Sequence, residues 1–293
     1  MNLRLILFLT VLSSSLISAD ALRVVSWNIE WFPGLRAKAS MEERQAHFKA
    51  VQPELEKINP DLLLAQEITD KEEFEKLIAI VPEMKVHTFS RFLEPGGDEP
   101  SLQQVTIASR LIAHSAWFER FKPSLDAPNL TRGFAFAALH HPDGGLIMVY
   151  SVHLKSNSGS DTPEGERNIA QTRKESIRQI ITHKLEMEKK FAAETIIGWV
   201  VGGDFNTNDD GQFPLCTAIK DMMAAGFHNT WSETPKTQRL SWREHPDPTQ
   251  RRFVSTTFDY IFTSGIKPVQ ARIIDVPRNL SDHYPIEISL EKN

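Results

Sequence analysis

Short apolar-rich runs of strand length alternate along the chain with longer amphipathic stretches. The runs at 22–27 (LRVVSW), 61–65 (DLLLA), 146–152 (LIMVYSV) and 195–201 (TIIGWVV) are too apolar for a one-sided sheet and read as strands buried on both faces. Further strands are expected at 104–109, 113–118, 132–139, 258–262, 270–274 and 286–290, with Asp143-Gly144-Gly145 as the hairpin turn into 146–152. Between them, Ser40 and Glu43 form a capping box that opens a helix running towards Lys57, and Asp70 with Glu73 caps the next one. A long polar helix is expected over 164–190, and another over 213–225 that stops at Gly226. No repeat or linker divides this alternation, which implies one layered α/β or α+β domain. Residues 231–255 have no clear period, and a loop of that length in a compact domain usually carries function.

Composition narrows the picture. The chain has 293 residues, 41% of them hydrophobic, with 33 Lys and Arg against 38 Asp and Glu for a net charge of −5. That balance excludes a protein that coats nucleic acid through bulk positive charge, but not an enzyme that grips a few phosphates. The single cysteine, Cys216, excludes an intramolecular disulfide framework and a Cys-rich zinc module. At the N-terminus, Arg4, the apolar run 5–16 and Ala19-Asp20-Ala21 fit a cleavable export signal over 1–21. The expected functional unit is therefore residues 22–293, a monomer without a stable membrane anchor, exported to the periplasm or secreted.

Polar side chains with catalytic capacity follow the apolar strands at several separate places. Asn28 follows VVSW, Glu67 follows DLLLAQ, His153 follows LIMVYSV, and Asp204 and Asn206 follow TIIGWVVGG. Asp259 lies within TTFDYIF, while Asp282 and His283 precede PIEISL. Strand ends hold side chains more rigidly than free loops do. Together these residues offer hard oxygen donors without thiolates, a set suited to Mg²⁺, Mn²⁺ or Ca²⁺. A metal, two histidines and spare carboxylates suit the attack of water on a phosphate ester. Taken singly, each residue also has an ordinary explanation: a turn-forming Asn, a helix-capping Glu, a structural His, an Asx turn at Asp204. Spacing alone leaves both readings open.

The segments SWNIEWF (26–32), AQE (65–67), SVHLKSN (151–157), GGDFNTN (202–208), FDYIF (258–262) and SDHYP (281–285) together resemble the ordered motifs of the endonuclease/exonuclease/phosphatase superfamily. The series spans nearly the whole chain after residue 21. The resemblance implies a four-layer αββα sandwich of two mixed β-sheets flanked by helices, the DNase I-like fold. It also implies that Glu67, helped by Asn28, holds a divalent metal, with Asp282 binding a second ion or tuning the first. Glu30 stands where one branch places a metal-binding Asp. Asp204 would orient or deprotonate the attacking water and Asn206 would hold the phosphate. Asp259 would pair with His283, which would contact the phosphate or act as base, and His153 would be a general acid or phosphate ligand. Arg132 is a candidate phosphate clamp through its planar donor fork.

Departures from the family pattern sharpen the expectation. His153 stands where the apurinic-endonuclease branch has Tyr, and the chain cannot form the disulfides usual in extracellular DNase I relatives. Residues 234–253 carry Lys236, Arg239, Arg243, Arg251 and Arg252 against Glu244 and Asp247, a basic loop that could guide a phosphate backbone. The leading expectation is an exported phosphodiesterase acting on nucleic acid. The alternatives are a sphingomyelinase-like or other small phosphoester hydrolase and, from another class, a binding module that has lost its chemistry.

Overall fold

The computed structural model describes residues 21–94, 97–127, 130–250 and 253–291. Residues 1–20 of the expected export signal, and Arg251 and Arg252 of the basic loop, lie outside them.

Two six-stranded sheets form the centre of the fold. The first is built from β1 (Leu22–Phe32), β2 (Leu62–Ile68), β3 (Lys85–Phe89), β4 (Gln104–Ser109), β11 (Arg272–Ile273) and β12 (Ile286–Leu290), in the order β11-β12-β1-β2-β4-β3. The second contains β5 (Ala113–Arg120), β6 (Gly133–His140), β7 (Leu146–His153), β8 (Ile196–Asp204), β9 (His228–Asn229) and β10 (Asp259–Ser264), in the order β5-β6-β7-β8-β10-β9. Each sheet is mixed: β1 and β2 run parallel, β7 and β8 run parallel, and their other neighbours are antiparallel. Helices α1 (Met41–Ile58), α2 (Lys71–Ile78), α3 (Pro163–Lys190) and α4 (Ala218–Ala224) complete the expected sandwich.

Period-two alternation explains the packing. Val24, Leu62 and Leu64 face the second sheet, while Val25, Trp27, Leu63 and Ala65 join a separate core with Val51 and Leu55 of α1 and Phe74 of α2. Both faces of β1 and β2 are therefore covered, which is why these strands read as apolar throughout. The sheets approach closely beneath the strand ends. A Cβ on Gly202 would sit 2.5 Å from Leu64 Cδ1, and Gly203 has φ +151°, so this stretch of β8 requires glycine.

The long helix is present as expected, but the helix expected from residue 213 begins only at Ala218. Pro214 disfavours helical backbone at Phe213, and the Thr217 hydroxyl bonds the Asp221 carboxylate at 2.6 Å, so Cys216 sits in the preceding turn. Strands β3 and β9 were not anticipated. The first is a half-buried edge strand with polar alternate positions, and the second has two residues.

The capping box of α1 forms with both reciprocal bonds, and the helix carries His47 inward. There Nδ1 accepts the Gly34 N–H at 2.8 Å and Nε2 lies 2.8 Å from the Leu280 carbonyl, which fixes the neutral Nε2–H tautomer. His47 thus ties the loop after β1 to the turn before Asp282. Replacing it by Ala leaves both backbone groups buried and unpaired, and should cost about 1–3 kcal/mol in urea unfolding. Burial also holds its pKa below the ordinary 6.5. The stability it contributes is therefore complete above that value and lost as pH falls below it, because only the unfolded chain then takes the proton. His47→Gln keeps a donor and an acceptor but cannot titrate, so its stability relative to wild type should improve on acidification. A pH-independent difference would contradict this.

Candidate active site

Strand register assembles the site. His153, Asp204 and Asp259 are direct cross-strand partners at the adjoining ends of β7, β8 and β10, so their side chains stand in a row. Opposite them, Asn28 is paired with Gln66 across β1 and β2, and both strands bulge immediately afterwards. The bulges leave Glu30 at φ +33°, Trp31 at +53° and Glu67 at +59°, while Asn206 sits at +54° in the turn after β8. A left-handed non-glycine residue costs about 1–3 kcal/mol and persists where its surroundings enforce it. Here the kinks bring Glu30 and Glu67 to the mouth between the sheets. Asn28 and Glu30 therefore lie within β1 rather than after it.

Asn28 Nδ2 donates to Glu67 Oε1 at 3.2 Å and to Asp204 Oδ2 at 3.1 Å, linking the sheets, while its oxygen accepts the Glu30 N–H. The Trp31 N–H donates to Glu67 Oε2 at 3.2 Å. His153 Nε2 lies 3.5 Å from Asp204 Oδ2 and 3.7 Å from Glu67 Oε1. His283 Nδ1 donates to Asp259 Oδ2 at 2.8 Å, leaving Nε2 3.7 Å from Asp204 Oδ2 and 3.8 Å from Asp282 Oδ1. The Asp282 N–H donates to Glu30 Oε2 at 2.8 Å. The Asn206 N–H donates to Asp204 Oδ1 at 2.7 Å, and its amide donates one hydrogen to the Leu154 carbonyl. The structure brings all nine of these expected site residues together. Arg132 lies alongside, its guanidinium bonded to the His153 and Leu154 carbonyls and to Gln103.

These groups hold different charges because their surroundings differ. Burial raises Asp204 to about 7, with Asp259 adding to the rise against the opposing pull of His283. Burial and then Asp282 raise Glu30 to about 7, and burial also raises Glu67. Burial disfavours charge on His283, but Asp259, Asp282 and Asp204 outweigh it and hold the ring as imidazolium. His153 is pushed the other way by burial and by Arg132, and its Nδ1 has no hydrogen-bond partner among the described residues. One histidine is thus cationic and the other neutral.

Sequence reasoning missed the segment that braces these groups. Ser241 Oγ donates to Asp259 Oδ2 at 2.7 Å and accepts the N–H groups of Phe258 and Asp259. Trp242 bridges Thr256 and His283 in the backbone and donates its indole N–H to Asp282 Oδ2 at 2.8 Å. Behind Asn206, buried Arg173 holds Asn157, whose amide donates to the Asn206 carbonyl at 2.9 Å. A small polar residue beside Trp in an unpatterned loop, and an Arg on the apolar stripe of α3, were the available signals.

The basic loop is corrected by this geometry. Arg239 pairs with Asp210 at 2.5 Å, Lys236 with Asp210 at 3.2 Å, and Arg243 donates to the Val276 and Ser281 carbonyls while stacking on Tyr284. Acids at 209–210 thus pair with Lys236 and Arg239, and backbone carbonyls with the Tyr284 ring hold Arg243, so of these three cations only Lys236 stays largely exposed.

Comparison with known proteins accords with the site. The profile of the Endonuclease/Exonuclease/phosphatase family matches residues 25–283. The chain belongs to this family. Its members are hydrolases of phosphoester bonds, and this chain is an enzyme of that class. A family protein from Leptotrichia buccalis C-1013-b aligns with a TM-score of 0.64 at 15% identity, covering 93% of this chain and 100% of that one. TDP2 from C. elegans gives 0.62 at 19%, covering 92% and 75%. A mannosyl-6-phosphatase from Bacteroides thetaiotaomicron VPI-5482 gives 0.61 at 13%, covering 92% and 100%. At these identities the likeness is one of fold. Comparison with curated proteins gave no significant match.

Enzymes of the Endonuclease/Exonuclease/phosphatase family are typically dependent on a divalent metal. Among the described residues, no three His, Cys, Asp or Glu side chains converge as a complete metal cluster. The donors nevertheless fit Mg²⁺, which retains several waters and takes only one or two protein carboxylates. Glu67 and Glu30 are hard oxygen donors held out of water beside further acids, an arrangement that a cation relieves.

The brace makes a direct prediction. Ser241→Ala removes a donor from Asp259 and leaves two buried N–H groups unpaired, so urea unfolding should show a loss of about 2 kcal/mol or more. Unchanged stability would mean that the segment does not carry Asp259.

Proposed function

We propose that the chain is an exported, divalent-metal-dependent phosphodiesterase that cleaves P–O bonds by direct attack of water. The observation that carries this reading is the placement of Asp204 Oδ2 within 4 Å of both His153 Nε2 and His283 Nε2, beside Glu67. Two histidines of opposite protonation around one titratable carboxylate can bind a phosphate and move a proton.

Glu67, with Glu30, would hold the cation, and when bound the metal neutralises phosphate charge. Asp204, with its pKa near 7, is basic enough to take a proton from water at neutral pH. His283 has its Nδ1–H committed to Asp259, so its Nε2–H donates to a phosphate oxygen as a fixed positive charge. Its imidazolium state favours Asp204 over His283 as the base. Neutral His153 suits a phosphate ligand better than a general acid. Asn206 keeps one amide hydrogen for the phosphate after bonding Leu154. Arg132 holds the end of β7 and adds positive potential behind His153.

Nucleic acid is the first substrate class of this reading, and a sphingomyelinase-like or other small phosphoester is the alternative. The internal pairing of Lys236, Arg239 and Arg243 favours, as a second reading, a strand end or a small phosphoester over a long duplex. The Arg4–Ala21 pattern supports export. Among the described residues no helix is long and apolar enough to cross a membrane.

The purified chain with Mg²⁺ or Mn²⁺ should hydrolyse bis(p-nitrophenyl) phosphate and single-stranded DNA or RNA, and EDTA should abolish both activities. Asp204→Asn should lower kcat by about 10²–10⁴-fold with little change in unfolding. A well-folded variant with near-wild-type kcat would remove Asp204 as base. Phosphocholine release from sphingomyelin without nucleic-acid cleavage would replace the first substrate class.

A further inference from the structure

Arg173 stands on α3 with 1% of its surface exposed, yet among the described residues it pairs with no carboxylate. An arginine shut away from water is costly unless its donors are used, and burial disfavours its charge. Its donors go to neutral acceptors in one short segment, residues 154–157 after β7. Nε donates to the Lys155 carbonyl at 2.7 Å and Nη2 donates to Asn157 Oδ1 at 2.9 Å. The Cys216 thiol and the Phe213 ring lie against the rest of the guanidinium. Arg132 bonds the Leu154 carbonyl, so two arginines grip consecutive carbonyls of the segment.

That segment holds Asn206. A guanidinium can only donate, so Asn157 turns its oxygen to Arg173 and its Nδ2 to the Asn206 carbonyl, 2.9 Å away. The Leu154 carbonyl accepts from the Asn206 amide at 3.2 Å, which leaves the second amide hydrogen pointing elsewhere. Asn206 itself is left-handed, at φ +54°, a conformation that persists where its surroundings enforce it. The bond from Asn157 to its carbonyl is part of that enforcement. Without Arg173, the Asn157 amide is free to reverse and to present oxygen to oxygen.

We infer that Arg173 is a positioning residue, which acts through Asn157 to aim the free amide hydrogen of Asn206 at the phosphate. The inference rests on the phosphoesterase reading above. Arg173 donates to none of the residues proposed to meet metal or phosphate, so its effect on turnover passes through the segment it grips.

The full chain, loaded with Mg²⁺, is assayed on bis(p-nitrophenyl) phosphate, with urea unfolding measured for each variant. Arg173→Lys keeps the charge but loses the two-point grip. Asn157→Asp keeps a partner for Arg173, now as an ion pair, but turns an acceptor towards the Asn206 carbonyl. Each should lower kcat/KM by about tenfold, Asn157→Asp with little change in unfolding. In an Asn206→Ala background there is no amide to aim, and both losses should shrink to less than about twofold. A merely structural role gives the same fold-loss in both backgrounds, and that result overturns the inference. A well-folded Asn157→Asp chain with wild-type kcat/KM overturns it too. A wild-type chain inactive on the diester overturns the phosphoesterase reading instead. Calorimetric titration of inorganic phosphate into the Mg²⁺-loaded chain then decides the inference. Asn157→Asp should weaken phosphate binding about tenfold only where Asn206 is present. Unchanged binding, or none to the wild type, overturns it.

Discussion

Everything around the mouth of the sandwich answers to one constraint, the confinement of Glu30, Glu67, Asp204, Asp259 and Asp282 within a largely water-excluded space. An unpaired buried carboxylate is costly, and several together repel one another. The protein meets this with oriented dipoles and with the positive charges of His283 and Arg132. Asn28 divides its amide hydrogens between Glu67 and Asp204, and the Trp31 N–H supports Glu67. Ser241 and Trp242 support Asp259 and Asp282, and His283 carries the compensating charge. The acids that remain raised are Glu30, Glu67 and Asp204, the three proposed above for metal binding and proton transfer.

The same constraint explains the loop of residues 231–255. Arg239 turns inward, and residues 241–243 lie between the strand that carries Asp259 and the turn that carries His283. The Arg243 N–H bonds the Asp282 carbonyl and the Tyr284 N–H bonds the Ser241 carbonyl, at 2.8 and 2.7 Å. A segment without hydrophobic period is therefore ordered by backbone pairing and ion pairs. Length and lack of pattern pointed to a functional loop, and among its described residues Ser241 and Trp242 hold Asp259 and Asp282 in place.

The legible parts of the fold were those written in local pattern. Capping at Ser40 and Asp70, the glycines before Asp204 and the strand-end acids all depend on neighbours within a few residues. The sheet contacts of β3 and β9 do not, because an edge strand of polar alternation is stabilised by partners distant in sequence. Ser241 was invisible for the same reason, as its partner Asp259 is 18 residues away. Pro214 was a local signal whose effect on the start of α4 outweighed the apolar spacing of residues 213–217.

Burial of acids also separates the charge states of the two histidines, to which the motif resemblance assigned different roles but no charge. His283 faces Asp259 directly, so the cost of desolvating its charge is more than offset. His153 has Arg132 bonded to its own carbonyl and no partner on Nδ1 among the described residues, so the same desolvation leaves it neutral. A site with a fixed imidazolium on one flank and a neutral imidazole on the other is asymmetric toward a bound phosphate. On the proposed phosphoesterase reading, the cationic side would favour the phosphate oxygens and the neutral side an uncharged group. That asymmetry would orient an ester with its carried group towards His153 before any contact with the group itself.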